Sequence, residues 1–272
     1  MKKSIATVSL PGTLPKKLEA IAAAGFQGVE IFEPNLKAFN GSPRDVGRHA
    51  KELGLTIEMF QPLRDFEGVS AEQLRGNFDR ADIAFDIMGE LGAPLLLVCA
   101  NTGANIVDDE ELAASQLHEL AERAGRRGVK IGYEALAWST SVNTFDKAFR
   151  IVERVNSPNL GLILDSFHTL VRPDDWSSLS TLPGSRISFL QVGDAPRMDA
   201  DFLTIRRHHS RLPGEGDLDV AGFLRAVLVT GYTGAISLEI FNENASGSPL
   251  EIARAAMNSL LRVEDRALVS KD

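Results

Sequence analysis

The sequence contains one cysteine, no long apolar run and no excess of positive charge, and each absence excludes a class of protein. The lone Cys99 cannot form an internal disulfide, which favours a reducing compartment over a secreted location. No segment reaches the ~20 apolar residues of a transmembrane helix, and Pro11 and Gly12 interrupt the short apolar run near the start. We therefore expect a cytoplasmic protein with no membrane partner.

Positive charge is scarce, because 29 lysines and arginines face 37 acidic residues and leave a net charge of −8. A general nucleic-acid-binding protein needs a basic surface, so this class of partner is disfavoured. A small anionic substrate is compatible with the net charge, since a few local arginines are enough to bind it. The composition leaves the oligomeric state open, a homo-oligomer included.

Short apolar runs alternate with helical patterns along the whole chain. The runs are rich in Ile, Leu and Val, as expected for parallel strands that are buried on both faces. Eight strand–helix units predict an α/β fold with a single (β/α)8 TIM barrel over residues 1–272, close to the ~250 residues typical of that fold. The predicted strands start near Ser4, Gln27, Leu55, Pro94, Lys130, Asn159, Arg186 and Gly234.

Four consecutive apolar runs each end on an oxygen ligand of the kind that binds metal ions. VKIGYE ends on Glu134, LGLILD on Asp165, ISFLQ on Gln191 and AISLE on Glu239. The carboxyl ends of the strands in a (β/α)8 barrel meet at one face, where active sites lie. We therefore predict that these four residues surround one divalent cation. An isolated strand-end carboxylate is usually solvated, but four in succession make that explanation improbable.

The predicted ligands are all oxygens, which favours Mg²⁺ or Mn²⁺, with Co²⁺ as a further candidate, over structural zinc. Such an ion is a Lewis acid, which indicates chemistry next to a ketone: isomerisation, epimerisation or elimination. His168 lies three residues after Asp165 and titrates near neutral pH, so it is our candidate general base. His208 is a second candidate, although either histidine is compatible with a purely structural role.

A long segment at about 193–217, which we call the lid, follows the strand that ends on Gln191. Loops of this length are usually functional or disordered. Arg206, Arg207 and His208 make it basic, so it is interpreted either as a solvated loop or as a lid that binds an anionic substrate. Arg64, after the third predicted strand, either binds a substrate carboxylate or pairs with a neighbouring acid.

Glu30 and Glu33 end the second predicted strand, GVEIFE, and Glu30 is the candidate for a role in the site. Its carboxylate either orients a ligand of the predicted metal site from behind or caps the following helix. Tyr133 and Trp138 flank Glu134 and are interpreted either as walls of the pocket or as core residues.

Longer stretches of the chain resemble the xylose-isomerase-like superfamily of sugar-phosphate isomerases, epimerases and dehydratases. Within it, the chain is similar to the family of bacterial dehydratases that convert 3-dehydroshikimate to protocatechuate. The resemblance implies metal-dependent dehydration, metal ligands at Glu134, Asp165, Gln191 and Glu239, and His168 and Arg64 near the substrate. A ketose isomerase or epimerase with the same metal is the alternative. The matching stretches are SIATVSLPGTLPKKL, AGFQGVEIFE, FQPLRDFEGV, YEALAW, LGLILDSFHTL, QVGDAPR, RHHSRLPGEGD and GAISLEIFN.

The sequence departs from that family in two respects. The family's lid reads Ser-Arg-His-x-Arg, whereas this chain has arginine at position 206 and serine at position 210, so the two residue types are exchanged. If Arg206 does not reach the place that the family's arginine reaches, we expect a different affinity for the substrate or a different substrate. Many relatives also carry a fused dioxygenase-like domain, which is not expected in these 272 residues.

Overall fold

The centre of the molecule is a closed barrel of eight parallel strands, in a computed structural model that describes residues 1–241 and 247–269. Each strand pairs with the next along the chain, and the first pairs with the last. All eight begin within two residues of the predicted positions, so the predicted barrel is confirmed. The strands are β1 Lys3–Ala6, β2 Gly28–Phe32, β3 Thr56–Leu63, β4 Leu95–Cys99, β5 Lys130–Glu134, β6 Leu160–Asp165, β7 Ile187–Val192 and β8 Ile236–Leu238.

Helices surround the barrel, which explains why the strands are continuous apolar runs. Every residue of β4 and of β6 is buried, because one face meets the barrel interior and the other meets the helices. The helices of the described residues are α1 Leu14–Ala23, α2 Glu33–Lys37, α3 Pro43–Glu52, α4 Ala71–Leu91, α5 Glu110–Arg126, α6 Phe145–Val155, α7 Ser166–Leu170, α8 Phe202–His208, α9 Val220–Val229 and α10 Pro249–Leu268.

Local sequence signals set the ends of the longer helices. Ser70 and Gln73 form a capping box at the start of α4, and Gly92 ends that helix in the left-handed conformation. None of the helices in the described residues is long and apolar enough to cross a membrane. Residues 270–272 of the predicted domain, and Asn242 of the matching stretch GAISLEIFN, lie outside the described residues.

The lid has more regular structure than the sequence suggested, because α8 occupies its middle. Its two arms are held together by Asp194, which forms an isolated antiparallel bridge with Arg211. The buried Asp194 carboxylate also accepts hydrogen bonds from the backbone N–H groups of Ala195, Gly214, Gly216 and Leu218. The base of the lid is thus fixed to the barrel rim.

Candidate active site

The four predicted metal ligands lie side by side at the carboxyl end of the barrel. Glu134 and Asp165 are the last residues of β5 and β6, Gln191 is in β7, and Glu239 directly follows β8. Strand register brings them together, since Asp165 pairs with Gln191 across β6 and β7. All four side chains are buried, and Glu134 and Glu239 line a cavity of about 720 Å³.

Three of these side chains keep a buried oxygen without a hydrogen-bond donor in the described part of the chain: Oε1 of Glu134, of Gln191 and of Glu239. A buried oxygen without a partner costs about 1–3 kcal/mol, so such atoms indicate a partner that protein groups do not supply. Ligand atoms of Glu134, Asp165 and His168 also lie within 4.8 Å of one another. The donor set therefore fits a divalent cation bound by oxygens.

Glu30 orients Gln191 from beneath the site. Its Oε2 accepts hydrogen bonds from Nε2 of Gln191 at 2.8 Å and from Nε2 of Gln61 at 2.6 Å, while Ser237 donates to Oε1. Because the amide nitrogen of Gln191 is engaged, its Oε1 is the atom left for a cation. Burial, together with the charge of Glu239, raises the pKa of Glu30 well above its ordinary value. These contacts favour the first of the two interpretations of Glu30, as a group that orients a predicted ligand.

Burial dominates the electrostatics of the carboxylate cluster, by which we mean Glu134, Asp165 and Glu239. Burial and repulsion from the other two carboxylates raise the pKa of Glu134 well above its ordinary value. Burial also raises the pKa of Asp165 to about 6, although Arg206 opposes the shift. Burial thus disfavours the anionic forms of Glu134 and Asp165, and a nearby positive charge opposes this effect.

That charge comes from Arg206 of α8, which is only 2% exposed. Its Nη2 donates to Asp165 Oδ2 at 2.8 Å and to Glu239 Oε2, and its Nη1 donates to the Glu239 carbonyl at 3.2 Å. Burial disfavours the charged guanidinium, but the carboxylate cluster outweighs burial and raises the pKa of Arg206. The guanidinium predicted to bind substrate therefore pairs with two predicted metal ligands.

His168 lies in α7, with its ring against Trp138 at a centroid distance of 4.8 Å. The backbone N–H of Ala137 donates to its Nδ1 at 3.1 Å. A neutral imidazole accepts at one nitrogen and carries its proton on the other, so the proton lies on Nε2. Burial, Arg206 and Arg64 lower the pKa of His168 well below its ordinary value and keep the ring neutral. A general base or a metal ligand at Nε2 needs the opposite tautomer, which breaks the Ala137 contact.

The remaining basic residues of the predicted site differ in whether they line the cavity. Arg64 and Arg207 are exposed and line the cavity, whereas His208 is exposed on α8 and does not line it. Within the described residues Arg64 forms no ion pair, and its two acidic neighbours are engaged elsewhere. Asp65 accepts hydrogen bonds from Thr102, and Glu67 accepts them from Asn101 and Tyr133. The alternative role of Arg64, an ion pair with a neighbouring acid, is therefore wrong.

Sequence reasoning missed three groups of the site. Cys99 lines the cavity and its thiol lies 3.5 Å from Glu134 Oε2, while Gln61 and Ser237 donate to Glu30. Ser237 could have been found by strand alternation, because it lies two residues before Glu239 and so faces the same side of the strand. No comparable signal identifies Cys99, which looks like any other buried strand residue.

Comparison with known proteins identifies the family. The chain matches the xylose isomerase-like TIM barrel family over residues 18–263, and it belongs to that family. It is 52% identical to a 3-dehydroshikimate dehydratase of Pseudomonas aeruginosa over 98% of this chain and 42% of the relative. An inosose isomerase of Halalkalibacterium halodurans is 32% identical over 71% of this chain and 67% of that protein. The chain thus spans about two fifths of the dehydratase that it matches.

Solved structures give the same architecture. A xylose isomerase-like TIM barrel/4-hydroxyphenylpyruvate dioxygenase fusion protein superposes with a TM-score of 0.96 at 50% identity, covering 98% of this chain and 43% of that one. The IOLI protein, in a crystal structure with a binding zinc atom, superposes with a TM-score of 0.88 at 22% identity, covering 99% and 100% of the two chains. The second likeness establishes the fold alone.

The Glu30 contact predicts a role in metal affinity. Glu30→Gln should weaken Mn²⁺ binding by about 10–100-fold, the usual effect of losing a group that orients a ligand. Isothermal titration calorimetry with Mn²⁺ measures the change. Glu67→Gln is the matched control, because Glu67 is equally buried but contacts Asn101 and Tyr133 and no predicted ligand. Equal affinities for the Glu30 variant and the parent chain would contradict the role.

Proposed function

We propose that this chain catalyses the metal-dependent dehydration of 3-dehydroshikimate to protocatechuate. The observation that carries the proposal is a cavity with a buried cluster of oxygen ligands at its floor and two exposed arginines at its wall, Arg64 and Arg207. A cation-binding floor suits a ketone with a neighbouring hydroxyl, and the arginines suit a carboxylate on the same molecule. The dehydratase relative supports this substrate.

The residues that would hold the metal are Glu134, Asp165, Gln191 and Glu239, whose oxygens suit Mg²⁺, Mn²⁺ or Co²⁺. A bound ion of this kind supplies Lewis acidity to a carbonyl oxygen. In the balanced reaction, the C4 proton next to the 3-oxo group and the C5 hydroxyl leave as one water. A second proton then moves from C6 to the 3-oxo oxygen, which becomes the 3-hydroxyl group as the product becomes aromatic.

We assign His168 the role of hydrogen-bond donor to the substrate oxygen that gains negative charge, in place of the general base expected from the sequence. Ala137 fixes the tautomer that carries a proton on Nε2, and a neutral donor avoids placing a further charge beside Arg206. The proton acceptor is then another group; His208, the second candidate from the sequence, does not line the cavity. Arg64 and Arg207 bind the substrate carboxylate, and Trp138 packs against His168 and holds the ring in place.

A ketose isomerase or epimerase with the same metal site is the second candidate. The inosose isomerase relative favours it, and such substrates have no carboxylate for Arg64 and Arg207. The two candidates therefore differ in what the exposed arginines bind. The cytoplasmic location and a homo-oligomeric assembly stay predictions.

The test is a direct assay of the purified chain with Mn²⁺. Incubation with 3-dehydroshikimate should produce the ultraviolet absorbance of a catechol acid, and removal of the metal by a chelator should abolish it. Isomerisation of inososes or ketose phosphates without conversion of 3-dehydroshikimate would replace the dehydratase proposal with the isomerase.

Two substitutions distinguish the two candidate roles of His168, hydrogen-bond donor and general base. Glutamine can accept from Ala137 through its oxygen and donate through its nitrogen, whereas alanine can do neither. We expect His168→Gln to keep most of kcat and His168→Ala to lower it by ~10²-fold or more. If both variants lose activity equally, the ring acts as a base. Because the pKa of His168 is lowered, its ring should stay neutral near neutral pH. The contribution of His168 to the activity should therefore persist until the pH falls well below 6.5.

Arg64 should determine the preference for an acid. Hydrogen bonds to charged groups contribute ~1.5–3 kcal/mol, so Arg64→Ala should lower kcat/KM for 3-dehydroshikimate by roughly 10- to 150-fold. Steady-state kinetics measure the loss. Arg197→Ala removes the same charge from an exposed lid residue that does not line the cavity, and it should leave kcat/KM unchanged. Similar losses of kcat/KM in the two variants would show that net charge, and not a contact of Arg64 with the substrate, causes the loss.

A further inference from the structure

Arg206 occupies an unusual position for a lid arginine. Its guanidinium is packed between the rings of Phe167 and Phe241, with 5.1 Å from Cζ to each ring centroid. Gly193 lies beside it: a Cβ there would lie 2.6 Å from the Glu239 carbonyl oxygen, which accepts from Arg206, and 3.2 Å from Nη1 itself. The side chain is therefore seated in a cavity shaped for it, with aromatic faces on two sides and carboxylates in front.

The guanidinium takes oxygens that a metal ion would need. Oδ1 of Asp165 already accepts a hydrogen bond from the backbone N–H of Phe167 at 2.6 Å, and Arg206 takes Oδ2. Arg206 also takes Oε2 of Glu239. While Arg206 is seated, Asp165 has no oxygen without a donor, and Glu239 offers a cation only Oε1.

We propose that Arg206 is a built-in competitor of the metal ion. The ion and the guanidinium compete for Oδ2 of Asp165 and Oε2 of Glu239, so metal binding releases Arg206 and α8 with it. This inference rests on the metal site of the proposed function. It adds a residue that sets metal affinity and couples it to the position of the lid.

The coupling follows from how α8 is held. The helix has seven residues, and Ile205 and Arg206 are the two that are fully buried. Ser210 follows the helix, is itself buried and donates from Oγ to the Arg206 carbonyl at 2.6 Å. Loss of the Arg206 contacts removes one of the two buried side chains that fix this helix to the barrel and leaves Ile205 as the other. By linkage, whatever weakens the seat of Arg206 strengthens metal binding, by at most the same factor.

This arrangement explains what the exchange of arginine and serine between positions 206 and 210 of the lid does. Positions 206 and 210 are one helical turn apart, and both side chains are buried. Arginine at 206 reaches the carboxylate cluster, while the serine at 210 serves only to support the backbone of α8. The exchange therefore places the guanidinium of Arg206 at the carboxylates that would bind the metal ion.

The test uses Mn²⁺ alone and two measurements that need no turnover. Calorimetry should show that Arg206→Ser raises Mn²⁺ affinity by roughly 10-fold or more, since charge-assisted hydrogen bonds no longer compete. Hydrogen–deuterium exchange in residues 202–210 of the parent chain should become faster when Mn²⁺ binds, whereas ligands normally slow exchange. In the Arg206→Ser variant exchange should be fast already and should not rise further.

Arg207→Ser is the matched control, because it removes the same charge from the adjacent, exposed position. It should keep the rise in exchange that Mn²⁺ causes and should change the affinity far less than Arg206→Ser does. Tight Mn²⁺ binding to the parent chain with slower or unchanged exchange in 202–210 would overturn the competition while leaving the metal site in place. If Mn²⁺ binds neither the parent chain nor the Arg206→Ser variant, the metal site itself is wrong, and so is the competition.

Discussion

Burial of three carboxylates at one place is the constraint on which the rest of the site depends. Parallel strands bring Glu134, Asp165 and Glu239 together, and burial, with repulsion from neighbouring carboxylates, raises the pKa of Glu134 and of Asp165. A positive charge beside them favours their ionised forms. In this chain the charge comes from Arg206, and a divalent cation is the natural alternative. Metal binding, lid position and the electrostatics of the site are therefore linked.

Much of the fold could be predicted because its signals are local. Apolar runs fix the strands, and the topology of a closed parallel barrel places every strand's carboxyl end at one face. The convergence of Glu134, Asp165, Gln191 and Glu239 followed from those two facts. Residue type at a strand end was enough, because the backbone sets where such a side chain points.

The rest depended on contacts between distant parts of the chain. The seat of Arg206 requires β6, β8 and α8 together, since its partners are 41 and 33 residues away. The tautomer of His168 depends on the backbone of Ala137, 31 residues earlier. Neither contact leaves a trace in local composition. The short helix α8 was missed because seven residues, two turns of helix, are too few to show an apolar period.

Asp194 joins the two arms of the lid at the rim of the barrel, and this junction limits how far a change in the lid extends. One carboxylate gathers backbone N–H groups from both arms of the lid, so the arms meet at the rim whatever lies between them. A change at an exposed lid residue such as Arg197 or Arg207 therefore leaves this junction in place. A change at Ile205 or Arg206 is different, because these buried residues pack against the barrel. The exchange at positions 206 and 210 thus alters the contacts of the carboxylate cluster while the Asp194 junction stays intact.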